Sequence, residues 1–135
     1  MLRGNVPVKE MAVNRPTVAE RIATRLFGRF MVQTYPYEPL FLRDLSLTIM
    51  KSVSIPVIYI GGVLSRDHLE KLMEDGFRFI QIGRATIRNL DYPKEMEAGD
   101  IDESDCDICN RCVAAMDGGG VICVTAQEDG VMQSR

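Results

Sequence analysis

Apolar side chains recur at helical spacing near the start of the chain. The members of this apolar face, each four residues from the next, are Val18, Ile22, Leu26 and Phe30. Such spacing places side chains on one side of a helix. Thr17 and Glu20 have the spacing of a capping box, so we predict that the helix begins at Thr17 and ends near Gly28. Residues 1–16 show no such period and are predicted to form a loop.

The pattern then changes from helical spacing to short apolar runs. Residues 55–60 and 79–82 are nearly all apolar and β-rich, which is typical of parallel strands covered on both faces. Helices are predicted before, between and after these strands, over about 40–52, 66–75 and 85–89. Strands that alternate with helices indicate parallel β/α units and an α/β fold. Because two parallel strands cannot cover their own edges, we expect a fragment of a larger protein or a chain that needs a partner.

Both predicted strands end in glycine at their carboxyl ends, where α/β folds place ligand sites. Gly61 and Gly62 follow the first strand, and Gly83 and Arg84 follow the second. Glycine lets backbone N–H groups approach an anion closely, and a helix N-terminus attracts negative charge. Arg84 can neutralise that charge. The pattern therefore favours a phosphate site, with simple tight turns as the alternative.

All four cysteines fall in one short segment of the last third of the chain. They are Cys106, Cys109, Cys112 and Cys123. Two successive gaps of two residues let three thiolates converge on one iron–sulfur cube, which a distant fourth cysteine completes. Zinc more often uses two separated pairs of ligands. The pattern favours a 4Fe–4S cluster over zinc, and four reduced structural cysteines remain the simplest alternative.

Composition and charge exclude several classes of protein. With 135 residues, 46% hydrophobic and 26% charged, the chain is neither a disordered tail nor a collagen-like repeat. Its longest apolar run is well short of the ~20 residues that span a bilayer, and no signal peptide is visible. We therefore expect a cytoplasmic protein without a membrane partner. The first 90 residues are net basic, but their arginines lack interleaved aromatic residues, so we expect no nucleic-acid partner.

The glycine-ended strands and their surroundings resemble the C-terminal part of the Old Yellow Enzyme (NADH:flavin oxidoreductase) family. The similar stretches are 55–62, 83–85 and 89–91, and the early run 3–7 resembles the segment after the family's sixth barrel strand. The resemblance implies a (β/α)8 TIM barrel, of which residues 1–98 would hold the seventh and eighth strands with their helices. The chain has leucine at position 90, where the family usually has proline.

The resemblance also implies a function for the strand ends. In the family, the phosphate of flavin mononucleotide (FMN) lies at the positions matched by Gly61, Gly62, Gly83 and Arg84, with Val63 as a weaker neighbour. The implied activity is NAD(P)H-linked reduction of a small-molecule acceptor such as an activated alkene. The family's first six strands supply the flavin-ring contacts and the proton donor, so no catalytic residue is assigned. The 135-residue chain alone is expected to be inactive without the remainder of the barrel or a partner chain.

The cysteine segment resembles one branch of the same family. The run Cys109-Asn110-Arg111-Cys112 matches the Cys-Asn-x-Cys run of the branch that includes 2,4-dienoyl-CoA reductase and trimethylamine dehydrogenase. This implies that residues 99–135 form an acidic tail that holds a 4Fe–4S cluster and passes single electrons to the flavin. Two other classes of function remain open. One is a small iron–sulfur or zinc module without catalytic activity, and the other is a phosphate-binding half-barrel that assembles with another chain.

Overall fold

A computed structural model describes residues 3–130. These form two compact units, one built from residues 37–106 and the other from residues 3–36 together with 107–130. The helices are α1 (Val8–Val13), α2 (Val18–Met31), α3 (Arg43–Ser52), α4 (Arg66–Glu74), α5 (Arg84–Arg88), α6 (Tyr92–Ala98), α7 (Arg111–Ala115) and α8 (Val124–Glu128), with a 3-10 turn over Met116–Gly118. The strands are β1 (Ile58–Ile60) and β2 (Phe79–Gln81).

The two strands pair in parallel, with Tyr59 opposite Ile80, and α4 connects them. This confirms the predicted order of strand, helix and strand. Both strands are shorter than the apolar runs that predicted them. Proline has no N–H to donate to a strand ladder, and β1 begins only after Pro56. The pair therefore forms a small parallel β/α unit.

One face of this sheet packs on the core of residues 37–106. Tyr59 and Leu72 are fully buried, and the Tyr59 ring meets the Phe77 ring edge-on at 5.4 Å between centroids. The other face is apolar and open, since Ile58 is 60% and Phe79 is 54% exposed. Parallel sheets are normally covered on both faces. Within the described residues, only one of the two covering layers is present.

A forked ion pair joins the beginning of α3 to the residue that follows α4. The Nε and Nη2 atoms of Arg43 donate to the two carboxylate oxygens of Asp75, both at 2.6 Å. The hydrogen bond from Arg43 holds the pKa of Asp75 below its usual value. Helix α3 begins three residues later than predicted, because Leu40 takes a positive φ of 51° that a helix does not allow. The fork therefore ties the beginning of α3 to the end of α4.

The helix predicted from Thr17 is confirmed at its start and corrected at its end. The Thr17 hydroxyl accepts a hydrogen bond from the Glu20 N–H at 3.2 Å, as in a capping box. The helix passes Gly28 and continues to Met31. A Cβ at position 28 would lie 2.8 Å from Cγ1 of Val8, so glycine lets α1 approach α2. Helix α1 itself corrects the prediction that residues 1–16 form a loop.

The apolar face predicted for α2 lies largely on the surface of its unit, and two apolar side chains of α3 are exposed as well. On α2 these exposed side chains are Val18, Ile22, Leu26 and Phe30, and on α3 they are Leu45 and Ile49. Phe30 is 88% exposed. Among residues 3–130, no helix combines the length and the apolarity that crossing a membrane requires.

Candidate functional site

The structure places the two glycine ends at one edge of the small sheet. Gly61 and Gly62 follow β1 directly, and Gly83 caps the start of α5 two residues after β2. Neighbouring parallel strands run about 4.8 Å apart, and their carboxyl ends lie at the same edge. We call Gly61, Gly62, Gly83 and Arg84 the strand-end site. Residues that share a ligand must lie at the same edge of the sheet, and these residues do. Their role in binding stays a prediction.

Gly62 occupies a position that only glycine can fill. Its φ is +72°, in the left-handed region that other residues avoid. A Cβ there would lie 2.7 Å from the backbone N of Leu40 and 3.0 Å from the carbonyl oxygen of Glu38. The loop before α3 thus presses directly against the end of β1. This close approach explains the second glycine of the pair.

Two tyrosines hold the carbonyl groups at the end of β1. The buried Tyr59 hydroxyl donates to the Gly61 carbonyl at 2.7 Å, and the Tyr37 hydroxyl donates to the Gly62 carbonyl at 3.0 Å. The Leu40 N–H donates to the same Gly62 oxygen at 3.3 Å. Burial raises the pKa of both phenols, so both remain protonated donors at neutral pH. The sequence does not predict the contact of Tyr37, because no periodic pattern links its loop to the strand.

The second half of the strand-end site is open and carries a positive charge. Gly83 has an ordinary φ of −110°, and a Cβ built there would meet no heavy atom within 4 Å. The Arg84 guanidinium carbon lies 6.0 Å from the centroid of the Tyr37 ring, within cation–π range. Open space beside a glycine backbone, next to a guanidinium group, fits the chemistry of a phosphate. These residues therefore have the charge and the space that a phosphate group needs, and an FMN site here stays a prediction.

The four cysteines are divided between the two units. Cys106 ends the unit built from residues 37–106, whereas Cys109, Cys112 and Cys123 belong to the other unit. All four lie outside disulfide bonds, and Cys112 is buried in α7. Thiols are the donors that an iron–sulfur cluster or zinc requires. Across residues 3–130, no three histidine, cysteine or carboxylate side chains gather closely enough to hold a metal ion. The 4Fe–4S site stays a prediction.

The two residues between Cys109 and Cys112 are structural anchors. Asn110 is 1% exposed and has a φ of +60°. Its amide nitrogen donates to the carbonyl oxygens of Arg3 at 3.0 Å and Asn5 at 2.8 Å. The cysteine run is thereby tied to the beginning of the chain.

Arg111 fixes the same run to two helices. Its two Nη atoms donate to the two carboxylate oxygens of Glu128 in α8, both at 2.7 Å. Its Nε lies 3.0 Å from a carboxylate oxygen of Glu10 in α1. The hydrogen bond from Glu128 raises the pKa of Arg111 above its ordinary value. The contacts of Asn110 and Arg111 therefore explain both residues structurally, whether or not the cysteines bind a cluster.

Comparison with known proteins relates the chain to parts of two reductases. Over 111 residues it is 27% identical to the 4,4'-dithiodibutanoate disulfide reductase of Rhodococcus erythropolis, covering 82% of this chain and 27% of that protein. Over 106 residues it is 31% identical to the bilirubin reductase of Mediterraneibacter gnavus (strain CC55_001C), covering 76% of this chain and 16% of that protein. The chain thus spans only a minor part of each relative. No protein-family profile matches the chain, and no solved structure matches it.

Proposed function

We propose that this chain is the C-terminal part of an FMN-dependent, NAD(P)H-linked oxidoreductase of the Old Yellow Enzyme family. The observation that carries the proposal is the strand-end site, where two glycine ends of adjacent parallel strands meet beside an arginine. The similarity to segments of two proteins named as reductases supports an oxidoreductase role. The acceptor would be a small molecule such as an activated alkene.

In this proposal the chain binds the phosphate end of FMN. The backbone at Gly61, Gly62 and Gly83 receives phosphate oxygens, and Arg84 neutralises their charge. FMN, when bound, supplies hydride transfer from NAD(P)H to the acceptor, and the protein contributes positioning and electrostatics. The four cysteines would hold a 4Fe–4S cluster that exchanges single electrons with the flavin.

The remainder of a TIM barrel would cover the open face of the sheet. Ile58, Ile60 and Phe79 expose apolar side chains there, and a parallel sheet requires a second covering layer. Both relatives are several times longer than the stretch that matches this chain, so their remaining segments are sufficient to supply such a layer. We propose that these residues of β1 and β2 contact the other barrel strands, carried upstream or on a partner chain.

Flavin titration tests the phosphate site directly. The purified 135-residue chain is titrated with FMN and with riboflavin, which lacks the phosphate, and binding is followed by quenching of flavin fluorescence. We expect FMN to bind at least tenfold more tightly, and Arg84→Ala to remove about 1–3 kcal/mol of FMN binding. Arg88→Ala, on the same short helix, is the matched control and leaves the preference unchanged. Equal affinity for the two flavins in the unmodified chain would overturn the proposal.

A further inference from the structure

Tyr37, which lies outside the strand-end site, contacts both halves of that site. Its hydroxyl donates to the Gly62 carbonyl at 3.0 Å, at the end of β1. Its ring faces the Arg84 guanidinium, with 6.0 Å between the guanidinium carbon and the ring centroid. The residue lies between two prolines in the loop before α3, which restricts the backbone on either side of it. Tyr37 therefore joins two chain segments that are 22 positions apart in sequence.

The hydroxyl contact has a consequence for the next peptide group. A trans peptide is planar, so its carbonyl and its N–H point in opposite directions. No cis peptide occurs in the described residues. Because Tyr37 and Leu40 both hold the Gly62 carbonyl, the N–H of Val63 is directed away from their loop. Tyr59 acts in the same way through the Gly61 carbonyl, and it orients the N–H of Gly62.

The ring contact restricts the conformations of the Arg84 side chain. An arginine side chain has many rotamers, and restricting them to one region lowers the entropy lost when an anion binds. A guanidinium group over a tyrosine face is attracted by the ring quadrupole. Such an attraction involves the face of the guanidinium group, whereas the N–H donors at its edge are the atoms that bind phosphate bidentately.

We propose that Tyr37 is a positioning residue for the phosphate of FMN, acting through the Gly62 carbonyl on one side and through Arg84 on the other. It makes the site selective for the phosphorylated flavin over riboflavin. The inference rests on the proposed function, and it adds a residue from a third chain segment to the phosphate site. The chemistry recognised is a terminal phosphate monoester.

Two substitutions separate the two contacts. Tyr37→Phe removes the hydroxyl and keeps the ring, and we expect FMN affinity to fall about 2–10-fold, the loss of one hydrogen bond. Tyr37→Leu removes both contacts, and we expect a further ~2–5-fold loss, typical of an exposed cation–π contact. Riboflavin affinity should stay unchanged in both variants. Tyr35→Leu, two positions earlier, is the matched control and should alter neither affinity.

A double substitution tests whether Tyr37 acts through Arg84. If it does, the ring has no partner once Arg84 is replaced by alanine. In that background, Tyr37→Leu and Tyr37→Phe should then lower FMN affinity by the same factor. A general loss of folding would weaken the binding of both flavins together, so the ratio of the two affinities separates positioning from stability. Circular dichroism of each variant confirms that the fold is retained.

The outcomes distinguish the two proposals. If the unmodified chain shows no preference for FMN, the proposed function fails. If the preference exists and Arg84→Ala removes it while Tyr37→Leu leaves it intact, the positioning role of Tyr37 is wrong and the proposed function stands. Full additivity of Tyr37→Leu and Arg84→Ala would overturn the action of Tyr37 through Arg84, because it would show that the ring does not act on the arginine.

Discussion

The strongest test of the described geometry compares three glycines under one substitution. Gly62→Ala introduces a Cβ 2.7 Å from the Leu40 nitrogen at a φ of +72°. The left-handed conformation costs about 1–2 kcal/mol for a non-glycine residue, and an overpacked contact adds about 1–3 kcal/mol. Because typical domains are stable by only ~5–15 kcal/mol, such a loss is a large fraction of the total. We expect Gly62→Ala to be strongly destabilised.

Two other glycines separate the contributions. Gly99 has a φ of +82° with no heavy atom within 4 Å of a built Cβ, so Gly99→Ala should show the conformational cost alone. Gly83 has an ordinary φ and equally open surroundings. Gly83→Ala should therefore change the free energy of unfolding by less than about 0.5–1 kcal/mol, since lost unfolded-state entropy offsets a weaker N-cap.

Urea unfolding followed by circular dichroism measures all three variants. The shift of the midpoint multiplied by the slope, about 1–3 kcal/mol per molar urea, gives each change in stability. We expect the order Gly83→Ala, Gly99→Ala and Gly62→Ala from most to least stable. If Gly62→Ala were as stable as Gly99→Ala, the contact between the loop and the end of β1 would not exist in solution. Gly83→Ala should still weaken FMN relative to riboflavin, because its methyl group enters the space proposed for the phosphate.

Four further predictions follow from other contacts. Arg43 lowers the folded-state pKa of Asp75, so the fork stabilises the fold fully above the unfolded pKa of about 3.8. This stability is lost as the pH falls through the folded pKa. In acid unfolding experiments, Asp75→Asn should therefore lose less stability over that pH range than the unmodified chain does. Asn110→Asp keeps the size of the side chain but cannot donate two hydrogen bonds, so thermal unfolding should show a loss of about 1–3 kcal/mol, and an unchanged midpoint would contradict its anchoring role. Anaerobic reconstitution should yield about four iron and four sulfide per chain, and replacing any one cysteine by serine should abolish the whole cluster. If metal analysis finds zinc and no sulfide, the electron-transfer role is refuted. The flavin-supplemented 135-residue chain should not oxidise NAD(P)H at ordinary enzyme rates of about 1–10³ s⁻¹, and steady turnover would contradict the proposal that a remaining barrel is needed.

The parts of the fold that the sequence predicts are those with local causes. The parallel strands and α4 follow from a change of hydrophobic period, and the Thr17 cap follows from side chains three residues apart. The strand-end glycines follow from the same reasoning, because each is adjacent to its own strand. Such features depend on few residues and little long-range context.

The parts that the sequence does not predict depend on partners far along the chain. Gly28 near the end of a helical pattern is typical of a helix stop, but here it accommodates Val8 from another helix. Tyr37 and Gly62 are 25 positions apart in the sequence, and no periodic pattern predicts the hydrogen bond between them. Periodicity shows which side chains of α2 share a face, and it does not show whether anything covers that face.

The anchoring of Asn110 predicts an order of events during folding. Its hydrogen bond to Arg3 joins residues 107 positions apart, whereas residues 37–106 form a unit that is continuous in sequence. Closing so long a loop is slow compared with forming local contacts. We therefore expect residues 37–106 to fold before Asn110 docks against the beginning of the chain. A chain that ends before Asn110 lacks the hydrogen bonds to Arg3 and Asn5, so the unit that contains α1 and α2 would stay incomplete.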